Sequence, residues 1–475
     1  MLITRFPSLF PISTFSGSFF SAQIISKRVL IFFLFVSCTS QKNLSSDQRS
    51  IDILQSPALN GALAGICVYD PEKKNYLYQF QDDKYFVPAS NTKLFSLYAG
   101  MKYLGDSLPG ILYLETDTAI ILIPTGDPSF LHPDFPDQPV FRFLKHQRKN
   151  IYVFDSNWKT TAWGSGWSWD DYNDDYMAER SALPVYGNLI RWVQQTQQKA
   201  NAETQFDSSP SIYSIPEVDW KVRFSTDTQS RKFLVKRHLF ENVFEVNEGL
   251  EKNAEQLVPF ITNGSTSAIM LLKDTLGQNI FPVNPDSRLG KKLLGINPAL
   301  FTIIHSRPVD SLFRPLMFKS DNFFAEQILL MVSQQKLGLM NEEKIIDSIL
   351  KTDLAGLPQK PNWADGSGLS RYNLFSPQDF VWLLDKMQKE FGLERMERLL
   401  PTGGNGTLSK YFKQDSGYIF AKTGSLSDVI TLSGYLLTKK NHLLIFSVLL
   451  NNSLGKGSDI RRTVEKFLEQ VREKN

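Results

Sequence analysis

The sequence predicts a mixed α/β fold: one five-stranded antiparallel sheet flanked by helices, interrupted by a long, largely β insertion. Two strand-like runs precede the first strong helix, and three more close the chain. Between them, from about 106 to 304, short β-rich runs broken by Gly, Pro and Asp replace the helical texture. With 475 residues, 42% of them hydrophobic and 21% charged, the chain can fill two or three cores.

At the N-terminus Lys27-Arg28 precede the apolar run "VLIFFLFVS" and then Cys38. A basic pair, a short apolar run and a small residue before the break describe an export signal over 1–37, followed by a polar tether over 38–50. The run is short for a membrane span. A cysteine directly after Ser37 resembles a bacterial lipobox, with Phe35 where that motif usually carries leucine. The resemblance implies lipidation at Cys38 and an exported, periplasmic protein held to a membrane by its lipid. Plain secretion and an uncleaved anchor are the alternatives.

Removing 1–37 takes away Arg5, Lys27 and Arg28 and no acid, so the formal charge falls from +3 to 0. A near-neutral chain lacks the basic footprint of a nucleic-acid binder. With Cys38 lipidated, Cys67 is the only thiol left, which leaves no internal disulfide and no cysteine metal cluster. Cys67 sits in the apolar run "LAGICVYD" and reads as a small core residue.

A short helix over Ile51–Leu59 comes first. "ALAGICVYD" and "NYLYQFQDD" then read as strands joined by the turn "PEKK", and a helix follows from Ser90 to Leu104. Helical texture returns at "SDNFFAEQILLMVSQQ", "NEEKIIDSILK" and "SPQDFVWLLDKMQKEF", the last with Ser376 as N-cap and Pro377 in the first turn. Strands "GYIFAKTG", "VITLSGYLL" and "HLLIFSVLL" and a final helix "DIRRTVEKFLEQVREK" complete the chain. Segments 51–105 and 305–475 would thus form one domain around the inserted 106–304, which has room for two small domains.

The first helix opens "VPASNTKLFSLYA", with Ser90 and Lys93 one turn apart. Four more Ser-x-x-Lys pairs begin at Ser156, Ser333, Ser348 and Ser453, so the spacing alone selects nothing. Two unique triplets do: Ser320-Asp321-Asn322 is the chain's only Ser-x-Asn, and Lys422-Thr423-Gly424 its only Lys-Thr-Gly. Ser-x-x-Lys, Ser-x-Asn, Lys-Thr-Gly is the order of the penicillin-recognising serine enzymes. Ser333, Ser348 and Ser453 follow the second triplet, and Ser156 lies in a Trp-rich loop. Only Ser90 has both the order and a helix.

The chemistry fits. Residues i and i+3 share a helix face, so Lys93 can reach the Ser90 hydroxyl, and serine needs an adjacent base. The histidines, at 132, 146, 238, 305 and 442, show no triad setting. Lysine acts as a base only when neutral, which burial and a nearby like charge favour; Lys422 is the candidate for that charge. The amides of Ser90 and Ser425 can receive an oxyanion. Gly424 is expected to leave room for substrate along the strand edge. Ser320 and Asn322, at a helix start, can relay a proton and hold a substrate amide. Read singly, the Ser-Asp-Asn triplet is a helix cap and Lys-Thr-Gly a strand ending in a turn.

These residues resemble the low-molecular-mass class C penicillin-binding proteins, the D-alanyl-D-alanine carboxypeptidases/endopeptidases of peptidase family S13. The 230-position gap from Ser90 to Ser320, "TGDPSF" (125–130), "DSNW…GSGWSWDDYNDDY" (155–176) and "ADGSGLSRYNLFSP" (364–377) carry the narrower likeness, from about residue 50 to the C-terminus. It implies a serine transpeptidase/β-lactamase-like domain and cleavage of peptidoglycan stem peptides through an acyl-enzyme on Ser90, with β-lactams as covalent inhibitors. No cofactor or metal is implied. By the same resemblance Asp155 and Arg371 help seat the peptide's charged ends; a loop cap and an ion pair are their plainer readings. Ser427 stands where a larger polar residue can occur. The alternatives are a serine β-lactamase, which needs a glutamate to activate the deacylating water, and a non-catalytic wall-binding lipoprotein on the same scaffold.

Overall fold

Strand β1 (Leu63–Asp70) is buried on both faces, which is why its sequence is a continuous apolar run rather than an alternating one. In the computed structural model, which describes residues 52–196, 210–225 and 232–475, it occupies an interior position of an antiparallel five-stranded sheet. The other strands are β2 (Asn75–Phe80), β3 (Ile419–Leu426), β4 (Val429–Leu437) and β5 (Leu443–Asn451), in the order β3-β4-β5-β1-β2. The export signal, the tether and Cys38 lie outside the described residues. Among the described residues no helix is long and apolar enough to cross a membrane.

Pleating separates the two faces. Cys67, Tyr435, Ile445 and Leu449 face a core built by helices α1 (Lys93–Tyr103), α2 (Asn322–Leu337) and α3 (Pro377–Phe391). Ile66, Val68, Phe446 and Val448 face the C-terminal helix α4 (Gly457–Lys474) through Val464, Phe467 and Leu468. Cys67 is thus a core residue, its thiol pushed up by burial. The predicted strands and these four helices stand where the sequence pattern put them. Ser376 caps α3 in a capping box with Asp379. Two 3₁₀ turns, Asp52–Gln55 and Pro57–Leu59, replace the expected first helix, because Pro57 interrupts it.

Helices α1 and α2 are buried along most of their length, residues 93–101 and 323–333 respectively. Phe95 anchors α1: its ring lies 4.5 Å from Phe375, 5.4 Å from Phe380 and 5.5 Å from Trp363.

The β-rich segment after α1 forms three sheets. One is a mixed five-stranded sheet that begins with Ser107–Glu115 and ends with Thr302–Pro308, paired antiparallel. Entry and exit of the segment are therefore neighbours. Two three-stranded sheets complete it, and it also carries helices Pro139–Lys145, Thr266–Leu276 and Arg288–Leu294. Helix Asp310–Lys319, which the sequence pattern did not announce because Pro315 sits inside it, leads back to α2.

Phe95→Ala should cost about 3–5 kcal/mol, read as a lowered denaturation midpoint.

Candidate active site

Ser90 lies in a 3₁₀ turn, Ala89–Thr92, that runs into α1. Lys93, the first residue of α1, is completely buried. Its Nζ has three partners: Ser90 Oγ at 2.9 Å, Asn322 Oδ1 at 2.6 Å and the Ser367 carbonyl at 2.7 Å. Two of these only accept, and the third is a hydroxyl that can do either. A neutral amine has two N–H donors and one lone pair. It satisfies this triangle completely if the Ser90 hydroxyl donates to it.

Burial lowers Lys93 to about 8, against the pull of Asp365, Asp321 and Glu326 in the opposite direction. Loss of water is the largest cause, and the nearby Lys422 is likewise held well below its usual range, by burial first and Lys93 second, so each amine disfavours the other's charge. Lys422 Nζ donates to Ser320 Oγ at 2.8 Å and to the Thr423 carbonyl at 2.6 Å. Ser90, Lys93, Asn322, Ser320 and Lys422 thus meet in one cluster.

Ser320 departs from its expected place at a helix start. It sits in the left-handed region, φ 60°, at the joint between helix 310–319 and α2, where it ends the first helix. Asp321 is the true N-cap, accepting from the Phe324 amide at 2.8 Å. This joint aims Ser320 at Lys422 while Asn322, on the first turn of α2, reaches Lys93. Asn322 Nδ2 also donates to the Tyr176 carbonyl of the inserted segment at 3.0 Å.

Gly424 is also explained differently from the expectation. A Cβ there would lie 2.2 Å from Thr431 Oγ1, 2.8 Å from the Pro88 carbonyl and 3.0 Å from the Ser90 nitrogen. That space is taken by the Thr431 hydroxyl of β4 and by the turn that carries Ser90. Its absence of a side chain lets the strand touch the nucleophile turn. Thr423, next along the strand, falls on the opposite face from Lys422 by pleating. It lines a small cavity with Tyr411 and Arg461.

A groove of about 570 Å³ opens over the cluster, walled by Ser90, Asn322, Asp171, Arg371, Ser425 and Ser427. One wall is the outer edge of β3 near Ser425, beyond the part that Pro401 and Thr402 cover through Ala421 and Phe420, and it can take an extended peptide alongside. Arg371 donates to the Ser427 carbonyl at 2.8 Å and so belongs to the groove. Asp155 does not line it and lies beside the Gly264 turn. Asp171, Ser168 and Tyr176, which do line it, come from the Trp-rich stretch already singled out. The sequence offered no means of choosing among that stretch's many acids.

Among the decoy serines, Ser333 has other work. Ser333, inside α2, donates to the Leu339 carbonyl at 2.6 Å, and its Lys336 bonds the Tyr103 hydroxyl.

A helix-borne Ser-x-x-Lys, a Ser-x-Asn joint and a Lys-Thr-Gly edge strand around one groove define a penicillin-recognising serine enzyme. Residues 48–471 match the D-Ala-D-Ala carboxypeptidase 3 (S13) family, and the chain belongs to it. The D-alanyl-D-alanine carboxypeptidase of Actinomadura sp. (strain R39) is 26% identical over 454 residues, covering 88% of this chain and 83% of the relative. The crystal structure of penicillin binding protein 4 (dacB) from Haemophilus influenzae shares the fold, with a TM-score of 0.67 and 21% identity across 88% of this chain and 97% of that one. The same Haemophilus protein complexed with a β-lactam aligns at a TM-score of 0.62 and 19% identity, over 88% and 97% of the two chains.

With Lys93 lowered to about 8, the fraction of neutral base grows as pH rises. The acylation rate of Ser90 should climb with pH and level off above about 8. Stopped-flow acylation by a chromogenic β-lactam across neutral and alkaline pH would show this, and a rate already flat at neutral pH would contradict it.

Proposed function

We propose that the chain is a serine-type D-Ala-D-Ala carboxypeptidase acting on peptidoglycan stem peptides through an acyl-enzyme on Ser90. The observation that carries this reading is the Lys93–Ser90 contact of 2.9 Å, made by a buried amine whose two other neighbours are fixed acceptors. Neutral Lys93 takes the Ser90 proton as Oγ bonds to the D-alanyl carbonyl carbon. The negative charge that develops on that carbonyl oxygen is received by the amides of Ser90 and Ser425. When the C–N bond breaks, the departing D-alanine amine takes a proton, for which the Ser320–Lys422 pair stands ready as relay. Water then hydrolyses the ester and returns Ser90. Asn322 and the β3 edge hold the peptide, and Arg371 meets one of its charged ends.

A β-lactam would acylate Ser90 by the same steps. Cleavage of cross-links, the endopeptidase activity, uses the same bond type after a D-alanine and requires only that the groove admit a second peptide. A β-lactamase reading is less well supported: the described residues that wall the groove include no glutamate to activate water. Export and lipid anchoring through Cys38 complete the proposal, supported by the basic pair and apolar run before it.

Intact-mass measurement after benzylpenicillin treatment should show a persistent acyl adduct on the wild type and none on Ser90→Ala. Rapid release of the adduct would instead mark a β-lactamase. Chromatography of muropeptides should show loss of terminal D-alanine, and cross-linked dimers will report whether endopeptidase action accompanies it. Absence of both products would leave a wall-binding protein. In cells fed a clickable fatty acid, the wild type should label and Cys38→Ala should not; equal labelling would remove Cys38 as the anchor.

A further inference from the structure

Two fixed acceptors hold the Lys93 amine in place, and one is a backbone carbonyl, that of Ser367. The same residue's amide donates to Glu326 Oε1 at 2.7 Å. Glu326 is 1% exposed and lies four residues after Asn322, one turn further along α2. Its other oxygen accepts from Arg180 Nη1 at 3.3 Å. Arg180, also fully buried, belongs to the inserted segment. Its Nη2 donates to Glu342 Oε1 at 2.9 Å and to the carbonyls of Thr161 and Trp163 at 3.0 Å each. Those carbonyls open the stretch that walls the groove at Gly166, Ser168, Asp171 and Tyr176.

The loop carrying Ser367 has no slack. A Cβ on Gly366 would lie 2.7 Å from the Ala325 carbonyl, and one on Gly368 1.9 Å from the Ala89 carbonyl. The loop is wedged between α2 and the Ser90 turn, so a shift of Glu326 would be passed to the acceptor of Lys93 rather than absorbed.

We propose that Glu326 is a positioning residue for the general base, holding the Ser367 peptide under Lys93, and that Arg180 ties this hold to the groove wall. The inserted segment would then take part in setting the base as well as shaping the groove. This rests on Lys93 being the base of the proposed reaction.

The charged groups facing Lys93 are Asp321 and Glu326 from the α2 side, Asp365 from the 364–377 loop and Lys422 from β3. Asp365 is committed to the amides of Gly368 and Ser370 and to Asn373 and Trp167. Glu326 stands between Asp365, which raises it, and Arg180, which lowers it; burial outweighs both and puts it at about 7.

The test is the pH profile of Ser90 acylation in folded variants, checked by melting temperature. Glu326→Gln keeps an acceptor for the Ser367 amide but removes a negative charge that favours the Lys93 ammonium. Its acid limb should move to lower pH by about 0.5–1 unit. Glu326→Asp keeps the charge and withdraws the carboxylate by one methylene, so its limb should stay and its plateau fall about tenfold. A Glu326→Gln limb that coincides with the wild type, or a Glu326→Asp plateau at the wild-type level, overturns the proposal. Should Glu326→Gln fail to fold, the plateau of Glu326→Asp decides alone. Retention of full acylation in Lys93→Gln would instead sink the assignment of the base, which separates the two failures.

Discussion

A lysine amine taken wholly out of water is the constraint on which the rest of this structure depends. An ammonium in the interior carries a large desolvation cost, and Lys93 has no carboxylate in contact to offset it. Asp321, Asp365 and Glu326 attract the charge from a distance, yet burial outweighs the three of them and brings Lys93 to about 8. What the site provides in place of a counter-ion is geometry: two acceptors for the N–H groups and a hydroxyl facing the lone pair. Each part of the fold near Ser90 can be understood as holding one corner of that triangle. The 3₁₀ turn holds Ser90, the first turn of α2 holds Asn322, and the wedged 366–368 loop holds the Ser367 carbonyl.

The inserted segment is bound into the same arrangement by buried polar contacts. Gln327, next to Glu326, donates to the carbonyls of Gly126 and Ser181 at 2.8 and 2.9 Å and accepts from the Ser181 amide at 3.1 Å. The first turns of α2 therefore touch both the nucleophile side, through Asn322 and Glu326, and the inserted side, through the same two residues and Gln327. Such fully paired buried groups favour one arrangement over near alternatives, since any shift would leave a polar atom unsatisfied. This gives a physical role to Gly126 in the stretch "TGDPSF", whose sequence alone suggested only a signature.

Much of this was legible beforehand because it is written in local periodicities. The five sheet strands, α1–α4 and the N-cap at Ser376 follow from apolar patterning and cap residues within a few positions of each other. The pairing of Ser90 with Lys93 needs only helical spacing. Ser320 was harder, since its left-handed joint depends on the helix before it, and Pro315 hid that helix. Glu326 carried a signal in its one-turn spacing from Asn322, but a glutamate on a helix reads as a solvated charge until its burial is known. Asp155 and Asp171 lie in one acid-rich stretch, and only the path of the loop decides which reaches the groove.

The sequence by itself determined the fold class, the order of the three motifs and the identity of the nucleophile's helix. These are properties of spacing and uniqueness along the chain, and they survive without coordinates. The tertiary structure decided what each motif residue touches. Gly424 spares room for the Ser90 turn, burial of Lys93 outweighs the three acids around it, and Arg180 reaches Glu326 across 146 positions. Burial and long-range contact are set by how elements pack against one another, and no local pattern records the outcome.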